Sequence, residues 1–168
     1  MYNGRNQLNL SGILRHIPTA MAILQGNGNY PEIGGRVKFY QLQNGVLTVA
    51  EVYGLPSSES NCEHPIFGFH IHEGGRCQGN ATDFFGNAGM HYNPYGCPHP
   101  YHAGDMPPLF GVSGSAFSAF LTDRFTVGDI IGKTVIIHDS PDDFMTQPSG
   151  NAGNKIACGE IAPTGRSR

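Results

Sequence analysis

The feature that most limits the fold is a hairpin signal set among short, alternating segments. Asn44-Gly45 separates residues 35–42 (GRVKFYQL) from residues 46–52 (VLTVAEV), and such a pair between period-2 segments is the strongest short-range hairpin signal known. In the first segment Val37, Phe39 and Gln41 share one face, and Lys38 and Tyr40 take the other. Further strand-like segments fall at residues 19–24 (TAMAIL), 66–71, 113–121 (SGSAFSAFL), 134–138 (TVIIH) and 155–161. Seven or eight short alternating strands predict an all-β sandwich or barrel. Charged residues make up only 14% of the chain, against roughly 25% in ordinary soluble domains, and Gly 24 with Pro 12 exceed normal usage. That balance argues against a helical bundle or coiled coil.

The 168 residues show no repeat, linker or shift of composition, which predicts one domain over residues 18–168 after a loosely held polar arm at 1–17. A formal net charge of -3 has the wrong sign and size for a nucleic-acid binder. No apolar run approaches the roughly 20 residues of a membrane helix; residues 130–137 are broken by Gly132 and Lys133. The start, MYNGRNQLNLSG, lacks a basic stretch followed by an apolar core, so no signal peptide is visible. The expected location is the cytosol, or outside it for a mature secreted form.

Residues 73–108 form a long irregular stretch rich in Gly, Asn, Pro and Tyr, and a second long loop spans 139–153. A stretch of that length without strands is commonly functional, and five of the eight histidines lie in it or at its edge. His70 and His72 stand at i and i+2 of a strand, so both project from one face about 7 Å apart and can chelate one ion. His91, His99, His102 and Asp105 follow in the loop, and His138 ends the TVIIH strand. Any one histidine alone reads as an ordinary surface or core residue. Six in this order, with a carboxylate, point to metal binding.

These residues carry a family resemblance. GFHIHEGG (68–75), GMHYNP (89–94), HAGD (102–105), VIIHDSPDD (135–143) and GNAGNKIACG (150–159) resemble, in order and spacing, the successive signatures of copper/zinc superoxide dismutases. The resemblance covers nearly everything from residue 19 to 161. It implies a Greek-key β-barrel of immunoglobulin-like sandwich type, with about eight antiparallel strands and two long functional loops. It also implies copper on His70, His72, His91 and His138, and zinc on His91, His99, His102 and Asp105, with His91 bridging. Ligand chemistry supports the division: three imidazoles and a carboxylate close a tetrahedral zinc site, and four imidazoles suit cupric copper. Asp142 matches the family aspartate that orients a ligand of each metal, expected to be His72 and His99. Zinc binding, on the order of 10 kcal/mol, would order a loop that has no core of its own.

The resemblance further implies a disulfide between Cys77 and Cys158, stabilising by about 2–4 kcal/mol. Cys62 and Cys97 fall outside the common pattern. A second bridge between them is the preferred reading; free thiols, or a third metal site with His64, are the alternatives. His16 and His64 match no role and read as surface residues. Lys155 stands where most members carry arginine, a residue that draws superoxide toward copper; lysine keeps the charge but loses the planar two-pronged donor, which implies retained but reduced activity. The loop from His138 to Lys155 is shorter than in animal and plant enzymes and resembles bacterial versions. With a net charge of -3, steering of the anion must come from local positive potential in the cleft. Glu160 takes a position that is apolar in the eukaryotic dimer contact, so a homodimer would not be of that type. The implied reaction converts two superoxide anions to dioxygen and hydrogen peroxide by Cu(II)/Cu(I) cycling, with His91 coupling proton to electron. The alternatives are a non-catalytic dismutase-like copper/zinc-binding protein and a structural β-sandwich, and the latter leaves the histidine spacing unexplained.

Overall fold

The computed structural model describes residues 10–58, 60, 62 and 65–165. After one helical turn, α1 (Leu10–Ile13), come β1 (Ala20–Gly26), β2 (Gly34–Leu42), β3 (Gly45–Tyr53), β4 (Ile66–Phe67), β5 (Phe69–His72), β6 (Leu109–Phe110) and β7 (Ser115–Thr122). A short helix α2 (Val127–Ile130) leads to β8 (Thr134–His138) and then β9 (Lys155–Pro163). Seven strands form one antiparallel sheet in the order β5-β8-β9-β1-β2-β3-β7. The segments flanking its two end strands meet in a small ladder, β4 with β6, through Ile66↔Phe110 and Phe67↔Leu109. That ladder curls the sheet on itself, as a Greek-key barrel requires.

Alternation along the strands explains the core. In β1 and β2, Ala20, Ala22, Leu24, Val37 and Phe39 turn inward and are buried with Phe67, Phe69, Ile71 and Ile137. The expected hairpin forms with Leu42↔Gly45 as its closing pair, so Gln43 and Asn44 make the turn and Gly45 opens β3. Gln41 is exposed rather than sharing the buried face of Val37 and Phe39. Tyr40, on the opposite face, is only 5% exposed. It packs with Leu47 and Val49 under Ile13 of α1. Part of the stretch expected to be a loosely held arm is thus a helical turn that covers apolar side chains on the outside of the sheet; residues 1–9 lie outside the described residues. β5 and β8 are buried along their whole length: the core covers one face of each, and the long loops cover the other. Gly68 lets the loops close in, because a Cβ there would lie 2.8 Å from the Ala152 Cβ and 3.2 Å from the His138 Cβ.

Candidate metal centre

The long loop is placed by backbone hydrogen bonds to the edge of β5 that does not face β8. Ile71 N–H donates to Gly104 O at 2.8 Å, Tyr92 N–H to Ile71 O at 2.8 Å, and Glu73 N–H to Met90 O at 2.9 Å. These contacts set His91 opposite His72 and Asp105 opposite His70 as isolated bridges. On the other side, the β8–β9 register shifts between Ile137 and His138. Irregularities of this kind re-aim a side chain next to a site. The outcome is two groups of potential ligand atoms, each lying within 4.8 Å of one another: His70, His72, His91 and His138, and His91, His99, His102 and Asp105. All seven residues singled out in the sequence are therefore brought together, and all are buried or nearly so.

Hydrogen bonds at the far ring nitrogen of four histidines fix which nitrogen carries a lone pair. His72 Nδ1 donates to Gly89 O at 2.9 Å and His138 Nδ1 to Gly153 O at 3.2 Å. His70 Nε2 donates to Asp142 Oδ2 at 2.7 Å and His99 Nε2 to Asp142 Oδ1 at 2.9 Å. The remaining nitrogens then face inward as acceptors. His72 Nε2 and His138 Nε2 lie 3.3 Å apart, two lone pairs that only a shared cation or proton reconciles. His70 Nδ1, His91 Nε2, His99 Nδ1 and His102 Nδ1 are buried with no hydrogen-bond partner. Around Asp105, His91 Nδ1 approaches Oδ1 at 2.8 Å, while His99 Nδ1 and His102 Nδ1 stand 3.1 and 3.3 Å from Oδ2 without hydrogen-bond alignment. Buried polar atoms left unpaired in this number are costly, and a cation in each group satisfies them. The donor sets fit copper in the first group and zinc in the second.

Electrostatics favour ligation as well. Burial pushes His70 down to about 4 and His138 down to about 3, and holds His72 well below the ordinary histidine range. Burial also lowers His102. These rings are neutral at pH 7, the form that binds metal. Burial alone would raise Asp142, but hydrogen bonds from His70, the Phe144 N–H and His99 keep it well below the usual carboxylate range. Asp142 therefore hydrogen-bonds one residue of each group, and in the first group that residue is His70, not the expected His72. The expected pairing fails because the His72 Nδ1 is taken by the Gly89 carbonyl. Gly150 presses against this carboxylate: it has a φ of +65°, and a Cβ there would lie 2.0 Å from Asp142 Oδ1.

Several supporting residues were not visible in the sequence. The Gln147 amide accepts from His99 N–H at 2.9 Å and donates to His99 O at 2.8 Å. Arg124 Nη1 donates to the carbonyls of Pro100, His102 and Asp105 at 2.9, 3.3 and 3.3 Å, tying together the loop that carries the second group. Asp83 meets Lys155, with Nζ to Oδ2 at 2.8 Å. Nothing local in the sequence marks any of the three. Lys155 lines a cleft of about 500 Å³ together with His72, His91, His138, Asp83, Asp139 and Met90.

Cys77 and Cys158 form the expected disulfide, which ties the start of the loop to β9 beside Phe85, Ala88 and Ile136. The second bridge is not formed. Cys62 is an exposed free thiol, and Cys97 is a half-buried one whose backbone is gripped by the Asn93 amide. His64, invoked for a third metal site, lies outside the described residues, and His16 is exposed. Glu160 is exposed and accepts from the Cys77 N–H at 3.2 Å. No described helix is long and apolar enough to cross a membrane.

The family description "Copper/zinc superoxide dismutase (SODC)" matches residues 33–161. The chain is 34% identical over 145 residues to the Cu-Zn superoxide dismutase 2 of Aquifex aeolicus, covering 77% of this chain and 80% of that protein. It is 31% identical to the Cu-Zn superoxide dismutase of Photobacterium leiognathi over 141 residues, 76% of this chain and 78% of that one. The human copper chaperone for superoxide dismutase is 30% identical over 166 residues, 90% of this chain and 56% of the chaperone. By its barrel, its two histidine-rich groups and these likenesses, the chain belongs to the copper/zinc superoxide dismutase family, an oxidoreductase family whose cofactors are copper and zinc.

Proposed function

We propose that this chain dismutates superoxide to dioxygen and hydrogen peroxide, with copper held by His70, His72, His91 and His138, and zinc by His91, His99, His102 and Asp105. The observation that carries this reading is the His91 ring, which contributes to both groups: Nδ1 faces Asp105 at 2.8 Å, and Nε2 is buried and unpaired. Copper there would supply one-electron chemistry, alternating between cupric and cuprous with successive superoxide anions, beside a zinc ion that has none. His91 is placed to hold one of the two protons of hydrogen peroxide at Nε2 and release it into the cleft while Nδ1 stays within the second group; the other proton comes from solvent. Coupling a proton to each electron in this way avoids release of a high-energy peroxide dianion. Asp142 keeps His70 and His99 in the tautomer that presents Nδ1 inward. Lys155 brings positive charge to the cleft and attracts the anion. A lysine there keeps the charge without the planar double donor, so activity is retained but lower than arginine would give.

The likeness to copper chaperones motivates a second reading, a protein that binds or passes copper without turnover. The complete ligand set of both groups favours catalysis. Metal quantification combined with a superoxide-consumption assay decides between them. The expected result is one copper and one zinc per chain, rapid consumption, and loss of most activity in His91→Ala. Two metals without turnover would establish the second reading, and a single metal equivalent would refute the shared histidine.

A further inference from the structure

The cleft over the four-histidine group has a charge balance poorly suited to attracting an anion. Among the described residues its lining carries one Lys or Arg, Lys155, against two carboxylates, Asp83 and Asp139. Asp139 is occupied locally: it accepts from the Asn154 N–H at 2.9 Å, the Asn154 amide at 2.8 Å and the Ser140 hydroxyl at 3.1 Å. Asp83 is aimed at the lysine. Its Oδ2 accepts from Lys155 Nζ at 2.8 Å, and its Oδ1 is held by the Phe85 N–H at 3.1 Å. Beneath it, the Asn80 side chain accepts from the N–H groups of Thr82 and Asp83, which fixes the turn that presents the carboxylate. Lys155 Nζ also lies 3.4 Å from Phe85 O. The β8–β9 register sets Lys155 opposite His138, and both residues line the cleft.

We propose that Asp83 is a positioning residue that anchors the Lys155 ammonium and offsets its charge, limiting the pull of the cleft on small anions. The proposal rests on superoxide entering by this cleft. The pair reaches solvent through Asp83, whose side chain is 46% exposed against 16% for Lys155, and ion pairs open to solvent contribute modestly to folding. Its electrostatic effect is larger, because it cancels the one lysine charge in a confined cleft, where focused fields govern the arrival of anions.

The test compares the copper- and zinc-loaded parent with Asp83→Asn, Asp83→Glu, Lys155→Met and the Asp83→Asn/Lys155→Met double variant. Azide affinity is read from the copper visible band, and the bimolecular rate with superoxide is followed against ionic strength. Asp83→Asn is expected to bind azide and consume superoxide about two- to tenfold better at low salt. The gain should shrink as salt shortens the screening length to about 10 Å at 0.1 M. Asp83→Glu should restore parental behaviour, and Lys155→Met should abolish the gain in the double variant. Unchanged or weaker azide binding in Asp83→Asn, at equal metal content and Tm, overturns the proposal. Tighter azide binding in a protein that consumes no superoxide leaves it standing and sinks the dismutase reading instead. If Asp83→Asn fails to load metal, Asp83→Ser carries the same comparison.

Discussion

Replacing Asp142 with asparagine should weaken both metal sites at once. The carboxylate side chain is 1% exposed and accepts from His70 Nε2 at 2.7 Å, His99 Nε2 at 2.9 Å and the Phe144 N–H at 2.7 Å. Asparagine offers one acceptor and one donor in the same space. Whichever way the amide settles, one imidazole meets an N–H instead of an oxygen and must turn or change tautomer. Losing an outer hydrogen bond to a ligating histidine costs about 10–100-fold in metal affinity, which is about 1.4–2.7 kcal/mol at that site. The imidazole that keeps an oxygen still exchanges a charged acceptor for a neutral one and weakens by a smaller factor. Competition with chelators, run separately for copper and zinc, measures both, and the visible bands of cobalt placed in the second group report its geometry. Asp143→Asn is the control, since among the described residues its carboxylate reaches only Thr146 and the Met145 N–H. Both affinities staying within twofold of the parent would refute the reasoning, and so would a change confined to one metal.

Arg124→Met should speed zinc release several-fold with little effect on copper, because its three carbonyl contacts all lie on the loop of the second group; equal release rates in variant and parent would count against it. The metal-free protein should lose stability as pH falls from about 6.5 toward 4. In that range the unfolded chain takes up protons that the folded His70, held at about 4, and His138, at about 3, refuse. Calorimetric Tm of the chelator-treated protein between pH 7 and 4 checks the sign, and a flat or rising profile contradicts it.

Most of the fold was legible because strand alternation and turn chemistry act over a few residues. Val37 and Phe39 point inward because every second residue must, and the segment at 134–138 was placed to the residue. Short pieces escaped: the two-residue strand of Leu109 and Phe110 has no period to detect, and the cover over Tyr40 depends on where Ile13 happens to land. The ligands could be recognised by type and spacing, and so could Asp142. The other outer partners could not, because Gly89 O, Gly153 O and the carbonyls held by Arg124 are backbone atoms that any residue would supply.

By itself the sequence determined which side chains could meet a metal: it set two imidazoles on one face of β5, a carboxylate and three more imidazoles in a single loop, and a last one at the end of β8. Tertiary structure decided what each ring does. The stitching of the loop along β5 gave His91 a nitrogen in each group, gave Asp142 His70 rather than His72, and brought Asp83 to Lys155. Side-chain direction within a strand follows from local backbone geometry. Hydrogen-bond partners tens of residues apart follow from how the whole barrel closes, and those partners fix tautomer and charge.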